Sequence, residues 1–465
     1  MKICIVGGGS AGWMSATTFR DFDVTLVESP TIPISGVGES VLGQFRDWMT
    51  VVGIHDDTEF IKRTDATYKH SIKFTNFLRK DSGGFHYPFG HNQPIDPDNW
   101  WGYKNTVGRS CNDFATDVNP VARLAESGRV DTDEIYAYQF DAIKVGQYLK
   151  EAYCSNVEHI VADVVGYNGD SISLHDGRKV EADLFIDCTG FKSLLLGQYL
   201  KEPFIPYDHL IPNDTAVVCR LPYLNKEEQM VPYTECTAIN NGWVWQIPLS
   251  NRIGSGYVYS SEFVSHDDAK QEFIDHLNSK GFNTSECEFR KVPMKIGRYE
   301  RSWVGNVVAI GLSAGFLEPL EGNGLLSIHQ NLIALQKIVR RGTSSSILRK
   351  HYNNEQNRYF DHFAEFIAVH YAFTQRKDTP YWKNVGSKEY DIDLGMDDKN
   401  FKFKHAGFTY IAMGMEVTPY VDHRMKERGV TKVENTHAKW DNVMKRKPLL
   451  HEVMKELDKP PEPVL

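Results

Sequence analysis

Residues 2–12, Lys2-Ile-Cys-Ile-Val6-Gly7-Gly-Gly9-Ser-Ala-Gly12, decide the fold of this chain. The segment opens with a short β-branched run typical of a buried parallel strand. Its glycines have the G-x-G-x-x-G spacing, which allows a tight turn, close approach of a pyrophosphate, and contact between helix and strand. Asp23-Val-Thr-Leu-Val27 is the next predicted strand, and it ends on Glu28, a carboxylate suited to a ribose. The sequence therefore predicts a βαβ dinucleotide-binding unit.

Two later segments indicate which dinucleotide is bound. Asp183-Leu-Phe-Ile-Asp-Cys-Thr-Gly190 is a predicted strand entering an Asp-x-Thr-Gly turn, and Val307-Val-Ala-Ile-Gly311-Leu-Ser-Ala-Gly315 is a predicted strand entering a glycine-rich turn. In flavoproteins of the two-dinucleotide type, such segments return the chain under the cofactor and bring a second helix N-terminus to its ring. A dehydrogenase that binds only NAD needs neither segment. FAD is therefore the predicted cofactor.

The composition is that of a soluble globular protein. The 465 residues include 52 basic and 61 acidic side chains, a net charge of −9, which argues against a nucleic-acid-binding protein. No apolar run reaches the roughly 18 residues that a membrane helix needs. Seven cysteines are scattered without a C-x-x-C pair, so we expect neither a disulfide framework nor a metal site. The first residues lack a secretory signal pattern, and a cytoplasmic location is expected.

We predict an α/β fold of the two-dinucleotide, Rossmann-like flavoprotein monooxygenase type, with a mixed sheet and a helical C-terminal part. The FAD-binding core covers residues 1–385, and residues 386–465 are predicted to be mostly helical or irregular. The core is discontinuous, with a dinucleotide-binding half at about 1–45, 150–200 and 300–345 and a sheet and substrate half at about 46–149 and 201–299.

The periodicity also predicts local elements. Amphipathic helices are expected between about 41 and 80, and a long irregular loop over 81–113. Predicted strands lie at 157–166, 171–175, 183–187, 216–220, 242–248 and 254–259. A helical pattern follows Gly324 and continues toward residue 375.

Five motifs make the chain resemble the flavin-dependent tryptophan halogenases over about residues 1–385. The most specific is Gly242-Trp-Val-Trp-Gln-Ile-Pro248, which matches the family signature W-x-W-x-I-P. The other four are Gly36-Val-Gly-Glu-Ser40, Tyr68-Lys-His-Ser-Ile-Lys73-Phe, Ile310-Gly-Leu-Ser-Ala-Gly-Phe-Leu-Glu-Pro-Leu-Glu321 and Thr374-Gln-Arg-Lys-Asp-Thr-Pro-Tyr-Trp382. They occur in the family's order, which argues against a chance resemblance.

The resemblance implies a halogenase that uses FADH2, O2 and a halide ion (chloride, bromide or iodide). Hypohalous acid would pass through a tunnel to a lysine beside an electron-rich aromatic small molecule, such as an indole, a phenol or a related heterocycle. By the resemblance, Lys73 is that lysine and Glu321 is the carboxylate that works with it. Lys69 and Glu318 are expected to be structural. A separate NAD(P)H-dependent flavin reductase would supply the reduced flavin, because the sequence has no second G-x-G-x-x-G.

The same resemblance assigns the other site residues. Trp243 and Trp245 would wall the flavin off from the organic substrate, and Tyr87 and Phe89 would line the tunnel or the substrate pocket. Tyr87 stands where the family usually has His, so a substrate other than tryptophan is expected. The predicted FAD contacts are Gly7, Gly9, Ser10, Ala11, Gly12, Glu28, Gly38, Glu39, Ser40, Val164, Leu312 and Leu325.

The halide-binding turn departs from the family pattern. Asn323 and Gly324 would hold the ion through backbone N–H groups at a helix start. The family commonly reads P-L-E-S-T-G, whereas this chain reads Pro319-Leu-Glu-Gly-Asn-Gly324. Backbone donors survive the change, but Gly322 loosens the turn. We hypothesise that the site accepts a larger, more easily oxidised halide, bromide or iodide.

Two alternatives stay open at the level of the sequence. One is a single-component aromatic hydroxylase, against which the Trp243 and Trp245 wall argues. The other is a catalytically silent flavin-binding protein; Gly322 and Asn323 favour it, whereas the presence of both predicted catalytic residues opposes it. The sequence is compatible with a homo-oligomer.

Overall fold

The computed structural model describes residues 1–32, 38–90, 97–342, 345–390, 406–417 and 429–459. Within these ranges the strands β1 to β22 are, in chain order, Lys2–Val6, Asp23–Glu28, Glu39–Ser40, Thr67–Lys69, Ser71–Thr75, Gly84–Pro88, Ala137–Phe140, Glu158–Val161, Val164–Tyr167, Ser171–Leu174, Lys179–Glu181, Leu184–Asp187, Phe204–Pro206, Thr215–Leu221, Tyr233–Ile239, Gly242–Pro248, Ile253–Tyr259, Arg290–Pro293, Gly297–Tyr299, Trp303–Val304, Val307–Ala309 and Gly315–Phe316. The helices α1 to α15 are Ser10–Phe19, Phe45–Val51, Asp57–Thr64, Pro97–Val107, Phe114–Val118, Pro120–Glu126, Ala142–Tyr153, Lys226–Gln229, His266–Ser279, Asn323–Val339, Ser346–Ala372, Pro380–Val385, Ala406–Gly414, Gly429–Met444 and Leu450–Leu457.

The chain divides into two compact units, and the first comprises residues 1–65, 140–214 and 293–364. Its main sheet has the order β20-β21-β12-β1-β2-β8, in which all neighbours except β20 and β21 run parallel. β1 is central and buried on both faces, as its apolar run predicts. Cys4 and Val6 pack with Ile172 and Leu174 of the small sheet β11-β10-β9, while α1 packs against β1 and β2.

The second unit comprises residues 66–139, 215–292 and 365–465 and contains a seven-stranded sheet. Its order is β18-β14-β17-β16-β15-β5-β6, and β5 pairs with β15 in parallel. One face carries Val244 and Tyr257, which pack on Phe273 and Leu277 of α9. Helices α11 and α13 pack against side chains of β5 and β6.

Several predicted elements agree with the structure, and others need correction. The predicted strands of the middle region correspond to β14, β16 and β17. The predicted helices between 41 and 80 end at Thr64, and the chain then forms β4 and β5. The predicted loop over 81–113 contains β6 and α4, with 91–96 outside the described residues.

The division into units also differs from the predicted halves. The structure places 46–65 in the first unit, and residues from Glu365 onward in the second. Residues 386–465 are therefore part of the second unit, where α13, α14 and α15 supply its described C-terminal helices. Among the described residues, none of the helices is long and apolar enough to cross a membrane.

Candidate active site

The glycines at the end of β1 form a cradle with one open position. Gly7 has φ +118°, and a Cβ there would lie 2.3 Å from the carbonyl oxygen of Cys188. A Cβ on Gly12 would lie 1.9 Å from the carbonyl oxygen of Gly7. Both glycines are therefore required by the packing of the chain itself. A Cβ on Gly9 would meet no protein atom within 4 Å, so this position is open to a ligand.

The start of α1 lies at this open position. Gly9 is its N-cap and supplies no side-chain oxygen, so the first N–H groups of the helix remain available to an anion. The Ser10 hydroxyl donates to the carbonyl of Ala142 at 3.1 Å instead. The turn at Gly311 lies against the same helix start, because a Cβ on Gly311 would be 3.4 Å from the Cβ of Ala11. The structure thus brings the turn that contains Leu312 to the cradle.

Glu28 ends β2 beside the cradle, and it has a partner that the sequence did not reveal. Its side chain lies over Gly8, where a Cβ would approach within 2.2 Å of the Glu28 carboxyl carbon. Its Oε2 is 2.9 Å from Nε2 of His159 on β8. The adjacent Ala162 N–H donates to the Glu28 carbonyl at 2.9 Å, which brings the start of β9, Val164, to the same strand ends. A ribose at Glu28 would share the carboxylate with His159.

The second glycine-rich loop supplies a protonatable group. Gly38 has φ +128° and precedes Glu39 and Ser40 of β3, while Gly36 and Val37 lie outside the described residues. Burial raises the pKa of the Glu39 carboxyl to about 7, and the nearby Asp141 carboxylate contributes in the same direction. Glu39 therefore changes charge near neutral pH.

The turn before α10 is held by two asparagine amides. Asn213 Nδ2 donates to Oε2 of the buried Glu318 at 2.8 Å, and Asn323 Nδ2 donates to the Glu318 carbonyl at 2.9 Å. Glu321 is also fully buried. The following residue, Gly322, has φ +66° and is the N-cap of α10 without a side-chain cap. The first backbone N–H groups of α10, at Asn323 and Gly324, therefore have no competing side-chain acceptor at the N-cap. Leu325 is buried in the same first turn.

Trp243 and Trp245 lie on one face of β16. Both are buried, and their ring centroids are 5.9 Å apart. Trp245 covers Gly256 of β17, where a Cβ would lie 2.3 Å from the indole. The strand register pairs Trp245 with Cys236 and Cys236 with Phe74, so Phe74 shares the face of the two tryptophans.

The same register places Lys73 on the opposite face. Lys73 pairs with Glu235, which pairs with Gln246, whereas the tryptophans occupy the alternate positions of β16. Its Nζ lies 2.8 Å from Oε2 of Glu126, a carboxylate that is half exposed. Burial opposes ionisation of Glu126, but hydrogen bonds from His86 and Lys73 hold its pKa at about 2. Lys73 is thus the counter-ion of a surface carboxylate, and this placement does not fit the predicted catalytic role.

Lys69 occupies a different environment at the end of β4. It is fully buried, and its Nζ lies 5.0 Å from the centre of the Phe89 ring. Phe89 directly follows β6, in which Phe85 and Tyr87 pair with Phe74 and Ile72. Side chains alternate along a strand, so Phe89 continues the row of Phe85 and Tyr87 on the tryptophan face. Tyr87 itself contacts the ring of Phe366 at 6.0 Å.

Sequence analysis predicted a structural role for Lys69, because two lysines of one motif cannot be distinguished without the strand register. The structure groups Gly9, Ala11 and Leu312 at the cradle and places Glu321, Asn323 and Gly324 on one turn. It groups Lys69 with Phe89 and leaves Lys73 apart from the tryptophan face. Sequence analysis missed His159 and Asn213, which belong to no spaced motif, and His70, which lies inside the motif of residues 68–74 at a position that the motif does not specify.

An α/β unit with an open glycine cradle at the end of its central strand is typical of dinucleotide-binding proteins. The sequence model of the tryptophan halogenase family matches residues 2–428. Tryptophan 7-halogenase RebH of Lentzea aerocolonigenes is 34% identical over 437 residues, which cover 86% of this chain and 81% of RebH. The chain belongs to the tryptophan halogenase family, and it is a flavin-dependent halogenase.

Solved structures agree with this assignment. The apo structure of VirX1 is 33% identical, has a TM-score of 0.89 and covers 98% of this chain and 99% of that one. Xcc4156, a flavin-dependent halogenase from Xanthomonas campestris, is 26% identical with a TM-score of 0.89, covering 99% of both chains. The predicted fold class and enzyme class are confirmed. The hydroxylase and the silent flavoprotein are therefore not supported as alternatives.

Proposed function

We propose that this enzyme uses FADH2 and O2 to oxidise a halide ion and transfers the halogen to an electron-rich aromatic small molecule through Lys69. The observation that carries the proposal is the burial of the Lys69 ammonium against Phe89, on the same face of the sheet as Trp243 and Trp245. Lys73, which the motif first indicated, faces Glu126 on the other side.

The residues of the cradle fit FAD. The open position at Gly9 and the uncapped start of α1 would receive the pyrophosphate, and Glu28 would accept hydrogen bonds from the ribose. Ser10, Ala11, Gly38, Ser40, Val164, Leu312 and Leu325 remain proposed contacts. When bound and reduced, the flavin supplies with O2 the two-electron oxidation of halide to hypohalous acid.

Lys69 would hold the hypohalous acid by donating a hydrogen bond from Nζ or by forming an N–halogen bond with loss of water. In the transfer from hypohalous acid, the arene C–H bond breaks and a C–halogen bond forms. The hydroxyl of the acid and the arene proton leave together as water. We assign Glu321 to this step as the carboxylate that stabilises the cationic ring and accepts its proton. Tyr87 and Phe89 would line the pocket, and Trp243 and Trp245 would keep the arene from the flavin.

The halide preference is proposed from the turn before α10. Asn323 and Gly324 would donate backbone N–H groups to the ion, and the N-cap Gly322 adds no side chain at that position. We expect bromide or iodide to be used in preference to chloride in equimolar competition. Gly322→Ser should increase the share of chloride, whereas Gly322→Ala, which imposes the same strain at φ +66° without a hydroxyl, should not. Clear chloride preference in the unaltered enzyme would contradict this proposal.

The partners follow from the same chemistry. Relatives such as RebH are named for tryptophan, but Tyr87 changes the polarity of this pocket, and we propose an indole, a phenol or a related heterocycle other than free tryptophan. A separate NAD(P)H-dependent reductase would supply FADH2. A cytoplasmic location and a homo-oligomeric assembly are also compatible with the proposal.

A matched pair of lysine variants tests the proposal. With FAD, a flavin reductase, bromide and a panel of tryptophan, indole and phenol, Lys69→Met should lower brominated arene more than 100-fold while flavin oxidation stays normal. Lys73→Met should retain product within twofold, because it removes a partly exposed ion pair worth about 1 kcal/mol or less. Mass spectrometry of bromine isotope pairs measures both. Full product formation by Lys69→Met would refute Lys69 as the lysine that transfers the halogen. Loss of product in Lys73→Met alone would instead support Lys73, the lysine predicted from the sequence.

A further inference from the structure

His70 separates β4 from β5, directly after Lys69, and is completely buried. Its Nδ1 lies 3.2 Å from the carbonyl oxygen of Ile135, and the Asp131 N–H donates to its Nε2 at 3.2 Å. A carbonyl can only accept and a backbone N–H can only donate, so these partners require a neutral ring with its proton on Nδ1. Burial lowers the pKa of His70 to about 4, although both backbone and Asp131 interactions oppose the shift.

The main chain of His70 is engaged as well. Its N–H donates to the carbonyl of Pro232 at 2.7 Å, and its carbonyl accepts from the N–H of Phe89 at 2.9 Å. His70 therefore joins the strand that carries Lys69 to the residue whose ring covers the Lys69 ammonium. All four of these hydrogen bonds join His70 to the backbone of other segments.

The loop that receives the His70 ring is itself fixed by the C-terminal part of the second unit. The Val130 N–H donates to the Pro448 carbonyl at 3.0 Å, and the Leu450 N–H donates to the Gly128 carbonyl at 2.9 Å. Lys447 Nζ lies 2.7 Å from Oδ2 of Asp131. The carboxylate next to the His70 ring is thus already paired. The His70 ring therefore bonds to a loop that is itself held by main-chain hydrogen bonds and by a side-chain ion pair.

We propose that His70 is a positioning residue for halogen transfer: its ring ties the end of β4 to the 128–135 loop and so holds Lys69 against Phe89. This inference rests on the proposed role of Lys69. His70 need not touch the arene or the flavin to act. Loss of the two ring hydrogen bonds would release the His70 backbone from the 128–135 loop, and the His70 carbonyl, which accepts from the Phe89 N–H, would then no longer hold Phe89 at a fixed position beside Lys69.

The test uses His70→Leu with the complete system of FAD, reductase and bromide. A 1,3-diketone that traps free hypobromous acid is measured alongside bromination of whichever of tryptophan, indole and phenol the unaltered enzyme converts fastest. We expect kcat for the arene to fall at least tenfold with KM within twofold, while diketone bromination in the absence of arene stays unchanged. His70→Asn, whose amide can still donate to the Ile135 carbonyl, should recover at least a third of the lost kcat.

A second measurement does not depend on the substrate. Hydrogen–deuterium exchange should accelerate at least tenfold at the Phe89 amide and across 128–135 in His70→Leu, with the rest of the chain unchanged. Unchanged exchange, unchanged kcat, or a parallel fall of arene and diketone bromination would overturn the proposal. Lys69→Met distinguishes failure of the His70 inference from failure of the proposed function. If Lys69→Met keeps full activity, the proposed function fails, whatever His70→Leu does to hydrogen–deuterium exchange.

Discussion

Gly9 and Gly12 belong to one motif, but they make room for different partners. A Cβ at position 12 would collide with the Gly7 carbonyl, whereas a Cβ at position 9 would enter open space at the start of α1. The backbone of Gly9, with φ −76°, is accessible to any residue. The glycine at position 9 is therefore explained by a ligand rather than by the fold.

Gly9→Val should cost the apoprotein only about 1 kcal/mol, the loss of a favourable N-cap residue, and should weaken FAD binding at least tenfold, because the side chain would occupy the place of the pyrophosphate. Gly12→Ala should instead destabilise the apoprotein, since helix and turn must separate. Thermal unfolding of the apoprotein and flavin fluorescence titration measure the two effects. Destabilisation of the apoprotein by Gly9→Val as large as that by Gly12→Ala would contradict the open position assigned to Gly9.

Glu39 makes the stability of the first unit depend on pH. Its folded-state pKa of about 7 lies above the unfolded value of about 4.3, so the folded protein binds the proton more tightly. The contribution of this group to stability is complete below about pH 4.3 and is lost as pH rises through 7. The loss amounts to about 4 kcal/mol at most. Glu39→Gln should flatten the decline of apoprotein stability between pH 5.5 and 7.5, as measured by urea unfolding; an unchanged slope would exclude Glu39 as its source.

Among the helices and strands, the sequence predicted correctly those whose pattern lies within one short segment of the chain. β1, α1 and β2 follow from the glycine spacing, and β14, β16 and β17 follow from short alternating runs bounded by turns. The helix predicted over residues 67–75 was wrong. Tyr68 and Ile72 lie four positions apart, which resembles the spacing along one face of a helix. They form strands because β5 pairs with β15, more than 150 residues later. That long-range register also decides which lysine shares the face of the tryptophans, and no local pattern contains it.

The pairing of β16 with β17 depends on Gly256. Gly256→Ala would place a methyl group against the Trp245 indole, and the displaced ring should cost about 2 kcal/mol of unfolding free energy. In Gly256→Ala combined with Trp245→Phe, the smaller ring gives the methyl group room. The double variant should therefore be at least about 1 kcal/mol more stable than the sum of the single changes predicts. Urea unfolding of the unaltered protein, the two single variants and the double variant measures the four free energies of unfolding. If the two single changes add exactly, the two side chains do not compete for space.

At the scale of the whole molecule, residues from Glu365 onward complete the second unit rather than forming an appended segment. Helix α13 packs on β6: Gly414 lies over the ring of the buried Phe85, and Gly407 lies near the hydroxyl of Tyr87. Helix α13 thus covers the strand that also carries the predicted pocket residue Tyr87. Its composition did not reveal this, because the contacts join positions more than 300 residues apart.

The two glycines of α13 provide a matched test of that packing. Gly414→Ala would bring a Cβ within 2.2 Å of the Phe85 ring, and since this ring is buried against Phe74, the change should cost about 2 kcal/mol. The nearest atoms to a Cβ at Gly407 are the Tyr87 hydroxyl at 2.9 Å and two carbons of the same ring at 3.2 and 3.3 Å, the far end of a side chain that can shift, and the gain in helix propensity offsets the contact. Gly414→Ala should therefore lower both the urea midpoint and arene bromination, whereas Gly407→Ala should leave stability unchanged. Equal tolerance of both substitutions would contradict the close packing of α13 on the Phe85 ring of β6.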